Sequence, residues 1–189
     1  MNRGSKRQGL SSLQVRRLTY AALYLALALV LPLVTAQIPE INKSLCPMHL
    51  PVLLCGFVCG WPWGLAVGFI APLFRSVTFH MPVLFPSAVA MAFELAVYGG
   101  AAGLLYRLLP RKKGIVYAAL ILAMVLGRIV WGLATWALLG LAGDNFTWDL
   151  FLAGAVTNAL PGIALQLVLI PILVMAMERA GLSLNPKEA

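Results

Sequence analysis

Six apolar stretches, at about 18–36, 47–60, 64–79, 84–108, 114–140 and 149–178, dominate this chain and restrict what it can fold into. A hydrocarbon core about 30 Å thick takes roughly 20 apolar residues of helix to cross. In that solvent every backbone N–H and C=O must be bonded within the segment, so helices are the natural solution. The expected fold is therefore an all-α membrane protein with about six transmembrane helices. Composition agrees: 61% of the 189 residues are hydrophobic and 11% charged, against about 25% charged in a soluble domain. The stretches 47–60 and 64–79 are each short for a perpendicular crossing. Trp61-Pro62-Trp63-Gly64 reads as the turn between them, and the pair forms either two short helices or one re-entrant hairpin.

The net charge of +8 would suit a nucleic-acid binder, but its placement argues for a membrane. Arg3, Lys6, Arg7, Arg16 and Arg17 precede the first stretch; Arg107, Arg111, Lys112 and Lys113 bracket the fourth and fifth; Arg179 and Lys187 follow the last. Basic residues collect in cytoplasmic loops and ends, which puts the N- and C-termini in the cytoplasm. Residues 1–17 then form a basic N-terminus, 18–178 a single six-helix transmembrane domain, and 179–189 a cytoplasmic tail. The 18–36 run exceeds the 7–15 apolar residues of a signal peptide, so a retained first helix is expected. Nucleic acid is not an expected partner; the lipid bilayer is.

Several chemistries lack their motifs. The chain has no Gly-Lys pair, hence no P-loop for ATP. HExxH, GxSxG and an Asp-rich prenyl-diphosphate motif are also missing. Cys55 and Cys59 share a helix face, yet no His or third Cys completes a metal set. They and Cys46 are expected as plain thiols, with no metal and no cofactor in this chain. His49 and His80 fall near span ends, where a lone imidazole is commonly an interfacial donor.

Polar groups inside a bilayer are costly, which makes them functional candidates. Counting from span ends at about 1.5 Å per residue, Glu94 and Arg128 lie roughly 21 Å above the cytoplasmic end, Arg75 about 17 Å, and Asn158 about 14 Å below the outer end. Four polar side chains from four spans thus share the outer half, as a cavity open to the outside requires. Ala88, Ala92, Ala96 and Gly100 form a small-residue stripe suited to close helix approach. Glu94 and Tyr98 share another face, and Arg128, Trp131 and Thr135 a polar-aromatic stripe on the next helix. Glu94 and Arg128 suit either a ligand site or a structural ion pair between helices. Gln166, Pro161 and Pro171 read as structural.

Three segments carry a resemblance: Pro47-Met48-His49-Leu50-Pro51-Val52-Leu53-Leu54-Cys55-Gly56-Phe57, Trp63-Gly64-Leu65-Ala66-Val67-Gly68-Phe69 and Met91-Ala92-Phe93-Glu94-Leu95-Ala96-Val97-Tyr98-Gly99. Together, over about 18–178, they resemble the vitamin-specific S components of energy-coupling factor (ECF) transporters. The resemblance implies a membrane-embedded binding subunit without catalysis, which captures a micronutrient from outside. Its partners would be one transmembrane coupling subunit and two ATPase subunits. It implies Ala22 and Ala26 as the face meeting the coupling subunit, and the 37–45 loop as an outer lid. Glu94, Arg128, Trp131 and Asn158 become ligand contacts, with Tyr98 and Arg75 as further candidates. Two arginines against one carboxylate lean towards an anion such as pantothenate. Riboflavin, cobalamin and deazapurine precursors stay open, since a carboxylate also pairs with a ring edge bearing N–H donors. The competing classes are a solitary proton-coupled carrier using Glu94, and an intramembrane enzyme pairing Glu94 with a histidine. The enzyme is disfavoured because neither histidine is expected at the depth of Glu94.

Overall fold

The computed structural model describes residues 3–35, 46–109, 114–142, 147 and 160–185. Among the described residues there are six helices and no strand: α1 (Arg3–Thr35), α2 (His49–Cys59), α3 (Trp61–Phe79), α4 (Val89–Leu108), α5 (Ile115–Ala142) and α6 (Leu160–Arg179). A wide π-type turn, Leu84–Ala88, leads into α4. All but α2 are long and apolar enough to cross a bilayer. The chain is an all-helical, multi-pass membrane protein. The expected outer lid, 37–45, lies outside the described residues.

The pair around residue 60 resolves into a short helix and a full span. At 11 residues α2 is about 16 Å long, half of a hydrocarbon core. Ten of its residues are buried, so protein surrounds it where lipid surrounds the others. The Trp61-Pro62-Trp63-Gly64 segment, expected as the turn, is instead the first turn of α3. Proline suits that position, having no N–H to leave unbonded and a φ already helical. The reversal falls on Gly60, whose φ of 99° is open to a residue without a Cβ.

Glycines fuse α2, α3 and α4 into one core. A Cβ at Gly64 would lie 2.5 Å from the Gly99 carbonyl oxygen and 2.6 Å from the Gly56 Cα, and one at Gly103 2.5 Å from the Gly56 oxygen. The backbones touch directly, the packing that small residues permit in membranes. The Ala88, Ala92, Ala96 and Gly100 stripe is buried; Gly68 abuts Leu95 and Ala96, and Gly100 abuts Leu65, so its lower part faces α3. α5 packs on the other side of α4, and α1 and α6 flank α2. Outward side chains such as Phe74, Val77, Ile121, Val125 and Trp136 are apolar and exposed, as a lipid-facing surface should be.

The Arg17 turn of α1 and the segment after α6 meet at one end of the bundle. The Leu184 N–H donates to the Val58 carbonyl at 2.8 Å. Arg17 donates to the Leu184 carbonyl through Nε at 3.2 Å and Nη2 at 2.7 Å. Asn185 Nδ2 donates to the Gly103 carbonyl at 3.2 Å, and the Tyr106 hydroxyl bonds Glu178. The basic residues beside these groups make this the cytoplasmic end. α1 continues as helix through the basic N-terminal residues, and its 33 residues reach about 50 Å.

Gly99→Ala pushes a methyl into the Gly64 backbone, which has no rotamer with which to yield. Overpacking of this kind costs about 1–3 kcal/mol or more. Gly140→Ala meets nothing within 4 Å and gains about 1 kcal/mol of helix propensity. Thermal melting in detergent should therefore show Gly99→Ala well below wild type and Gly140→Ala at or above it.

Candidate functional site

Glu94 is only 2% exposed, on the face of α4 turned to both α2 and α5. From α5, Arg128 Nη1 approaches Glu94 Oε1 at 2.9 Å. From the first residue of α2, His49 Nε2 stands 3.7 Å from the same oxygen. Tyr98, one turn below Glu94 on the same face, is 1% exposed and lies beside the carboxylate. Its ring stacks edge-on to His49 with centroids 5.3 Å apart. Gly127 allows this: a Cβ there would sit 2.5 Å from the Tyr98 ring. Three helices thus bring a carboxylate, a guanidinium, an imidazole and a phenol together.

The short α2 explains why His49 belongs here. Expected at the interface, above the depth of Glu94, it is instead buried and beside that carboxylate. Because α2 spans half the core and is anchored at the cytoplasmic end, its first residue lies deep. Cys46, three residues earlier at a φ of 47°, extends the cluster beside Arg128. Sequence offered one clue to both residues, a Pro-flanked run too short to reach the outer surface.

The other candidates divide. Trp131 lies one turn beyond Arg128 and is partly buried; Thr135, another turn on, has its Oγ1 buried without a hydrogen-bond partner. Arg75 is turned away: it donates to the Leu29 carbonyl of α1 at 3.0 Å and sits 5.5 Å from the Phe79 ring centroid. Pro32 cannot donate to the Ala28 carbonyl and loosens that turn of α1. Arg75 binds the next carbonyl along. Asn158 lies outside the described residues. Ala22 and Ala26 are exposed, while Ala21, Tyr24 and Ala28 face the bundle.

Charge and hydrogen bonding are unequally matched here. Glu94 and Arg128 pair by charge, while Arg75, the second buried guanidinium, is held on the Leu29 carbonyl of α1. Yet His49 Nδ1, His49 Nε2, Glu94 Oε1 and Arg128 Nε are all buried without a hydrogen-bond partner. The Glu94–Arg128 approach is close in distance but not aligned as a hydrogen bond. Each such buried orphan costs about 1–3 kcal/mol, and native proteins rarely leave them clustered. Gln166 Oε1 on α6 is a further buried acceptor without one. A polar ligand would satisfy groups that the protein leaves open.

Together these features define a class: a multi-pass helical protein with a buried polar cluster between its helices. A family model for the ECF transporter substrate-specific component matches residues 16–174. The chain belongs to that family of substrate-binding transport subunits. No curated protein and no solved structure matches it.

The two arginines should separate by experiment. Arg128→Lys keeps a charge beside Glu94 but loses the planar fork, and should weaken substrate binding about tenfold or more without preventing folding. Arg75→Met should lower the melting temperature and leave affinity within about twofold. Substrate titration and melting of both variants check the pair.

Proposed function

We propose that this chain captures a vitamin-like micronutrient from outside the cell and delivers it to an energy-coupling module in the plasma membrane. One observation carries the site: Glu94, Arg128, His49 and Tyr98 converge from three helices in the outer half and leave polar atoms unmatched. That pattern fits high-affinity binding, because a ligand completing buried hydrogen bonds gains more there than in water. Family membership makes the chain a binding and transport subunit. It outweighs the intramembrane-enzyme reading, although His49 does stand beside Glu94. No cofactor is assigned to the chain, and the partners are one transmembrane coupling subunit and two ATPase subunits.

The docking face is α1. Ala22 and Ala26 point out of the bundle among exposed Leu18, Leu23 and Leu27, so another helix can approach closely. The opposite face of α1 is held by Tyr24 against Met177 at 3.3 Å and by Arg75 on Leu29. A partner bound there can act on the whole bundle through a firmly attached helix.

Native mass spectrometry of the chain in gentle detergent should reveal a carried-over small molecule. An empty chain, joined by uptake that proceeds without ATPase partners, would favour the solitary carrier. Ala22→Leu combined with Ala26→Leu should reduce co-purification with the coupling subunit and leave substrate affinity unchanged. Undiminished co-purification would place docking elsewhere.

A further inference from the structure

His49 is a buried group that the reading so far leaves without a task. It is 3% exposed, and its ring is held edge-on to Tyr98 at 5.3 Å with an interplanar angle of 62°. Neither ring nitrogen has a hydrogen-bond partner. The 3.7 Å to Glu94 Oε1 is too long for a hydrogen bond. Closing that gap would satisfy Nε2 alone and leave Nδ1 open. A purely structural histidine at this burial is normally bonded on at least one side.

We propose that His49 contacts the ligand and determines specificity, reading together with Glu94 an uncharged planar group that carries an N–H donor beside an acceptor. A cyclic amide or an amino-substituted heteroaromatic edge has this chemistry. The inference rests on the binding-subunit reading above and gives its site a ligand class.

Donor and acceptor inventory leads to that class. A neutral imidazole offers one donor and one acceptor, and an ionised Glu94 only accepts. Arg128 Nε adds an unmatched donor. A ligand edge that both gives and takes protons fits this set; a simple carboxylate, which only accepts, leaves Glu94 Oε1 without a donor. Charge points the same way. Glu94 and Arg128 pair with each other, so an anion that took up Arg128 would leave the Glu94 carboxylate uncompensated in a low-dielectric site. The Tyr98 ring, fixed against Gly127, and Trp131 one turn from Arg128 supply flat surface beside the polar groups.

The test uses the full chain in nanodiscs. Riboflavin and hypoxanthine serve as uncharged ring-edge probes and pantothenate as the anion, each titrated calorimetrically into wild type, His49→Ala and His49→Gln. At least one ring-edge probe should bind wild type, tenfold or more weaker to His49→Ala, with partial recovery in His49→Gln. The chain has only two histidines, so nitrogen-15 spectra of histidine-labelled His80→Gln report His49 alone, and both its ring nitrogens should shift on binding. Ring-edge binding with equal affinity in all three chains, or with unmoved His49 resonances, overturns the role of His49 and leaves the binding-subunit reading intact. Binding of pantothenate alone, or of none of the probes, overturns the ligand class. The binding-subunit reading itself falls only if the native mass spectrum is also empty and uptake ignores the coupling module. Melting curves without probe identify a variant that has merely lost its fold, in which case His49→Gln and the labelled spectra decide.

Discussion

Direct backbone contact between α2, α3 and α4 is the constraint on which the rest of this molecule depends. Gly56, Gly64, Gly99 and Gly103 place peptide groups where side chains would otherwise stand. In a bilayer, helices gain little by hiding apolar side chains from lipid, so association relies on close van der Waals packing. That close approach allows an 11-residue helix to be held wholly inside protein. It also brings the start of α2 against the outer half of α4, where His49 meets Glu94.

The two ends of the bundle are satisfied in opposite ways. At the cytoplasmic end, Arg17, Val58, Gly103, Leu184 and Asn185 pair backbone and side-chain groups among four chain segments. In the outer half, Glu94 and Arg128 pair by charge, but hydrogen bonding is incomplete. Replacing one partner of a buried ion pair is far more costly than forming the pair is favourable, so Glu94 and Arg128 hold each other in place even where they add little net stability. Their unmatched atoms then give direction to whatever binds. Rigid packing below and open valences above make a sensible division for a subunit that must hold a small molecule while its partners do the work.

α1 joins these two regimes to the outside of the protein. One face carries Ala21, Tyr24 and Ala28 into the bundle, and the other presents Ala22 and Ala26 to the membrane. Pro32 loosens its outer turn, and the Arg75 guanidinium binds the neighbouring carbonyl. An arginine that sequence alone sets among the ligand candidates instead ties α3 to the α1 backbone, one residue from the carbonyl that Pro32 leaves without its helical donor.

Hydropathy and charge placement determined much by themselves, because the bilayer imposes length, apolarity and sidedness residue by residue. The six helices, the common end for both termini, and the shared depth of Glu94 and Arg128 are all local properties of single segments. The Glu94–Tyr98 and Arg128–Trp131–Thr135 faces follow likewise from helix periodicity. Tertiary structure alone decided which of these groups meet. His49 and Cys46 joined the site because α2 ends midway through the core, and that ending depends on contacts with α3 and α4 far along the chain. Arg75 instead ties α3 to the Leu29 carbonyl of α1, a contact between helices that neither segment shows by itself. Depth is written in one helix, but proximity is a property of several packed together.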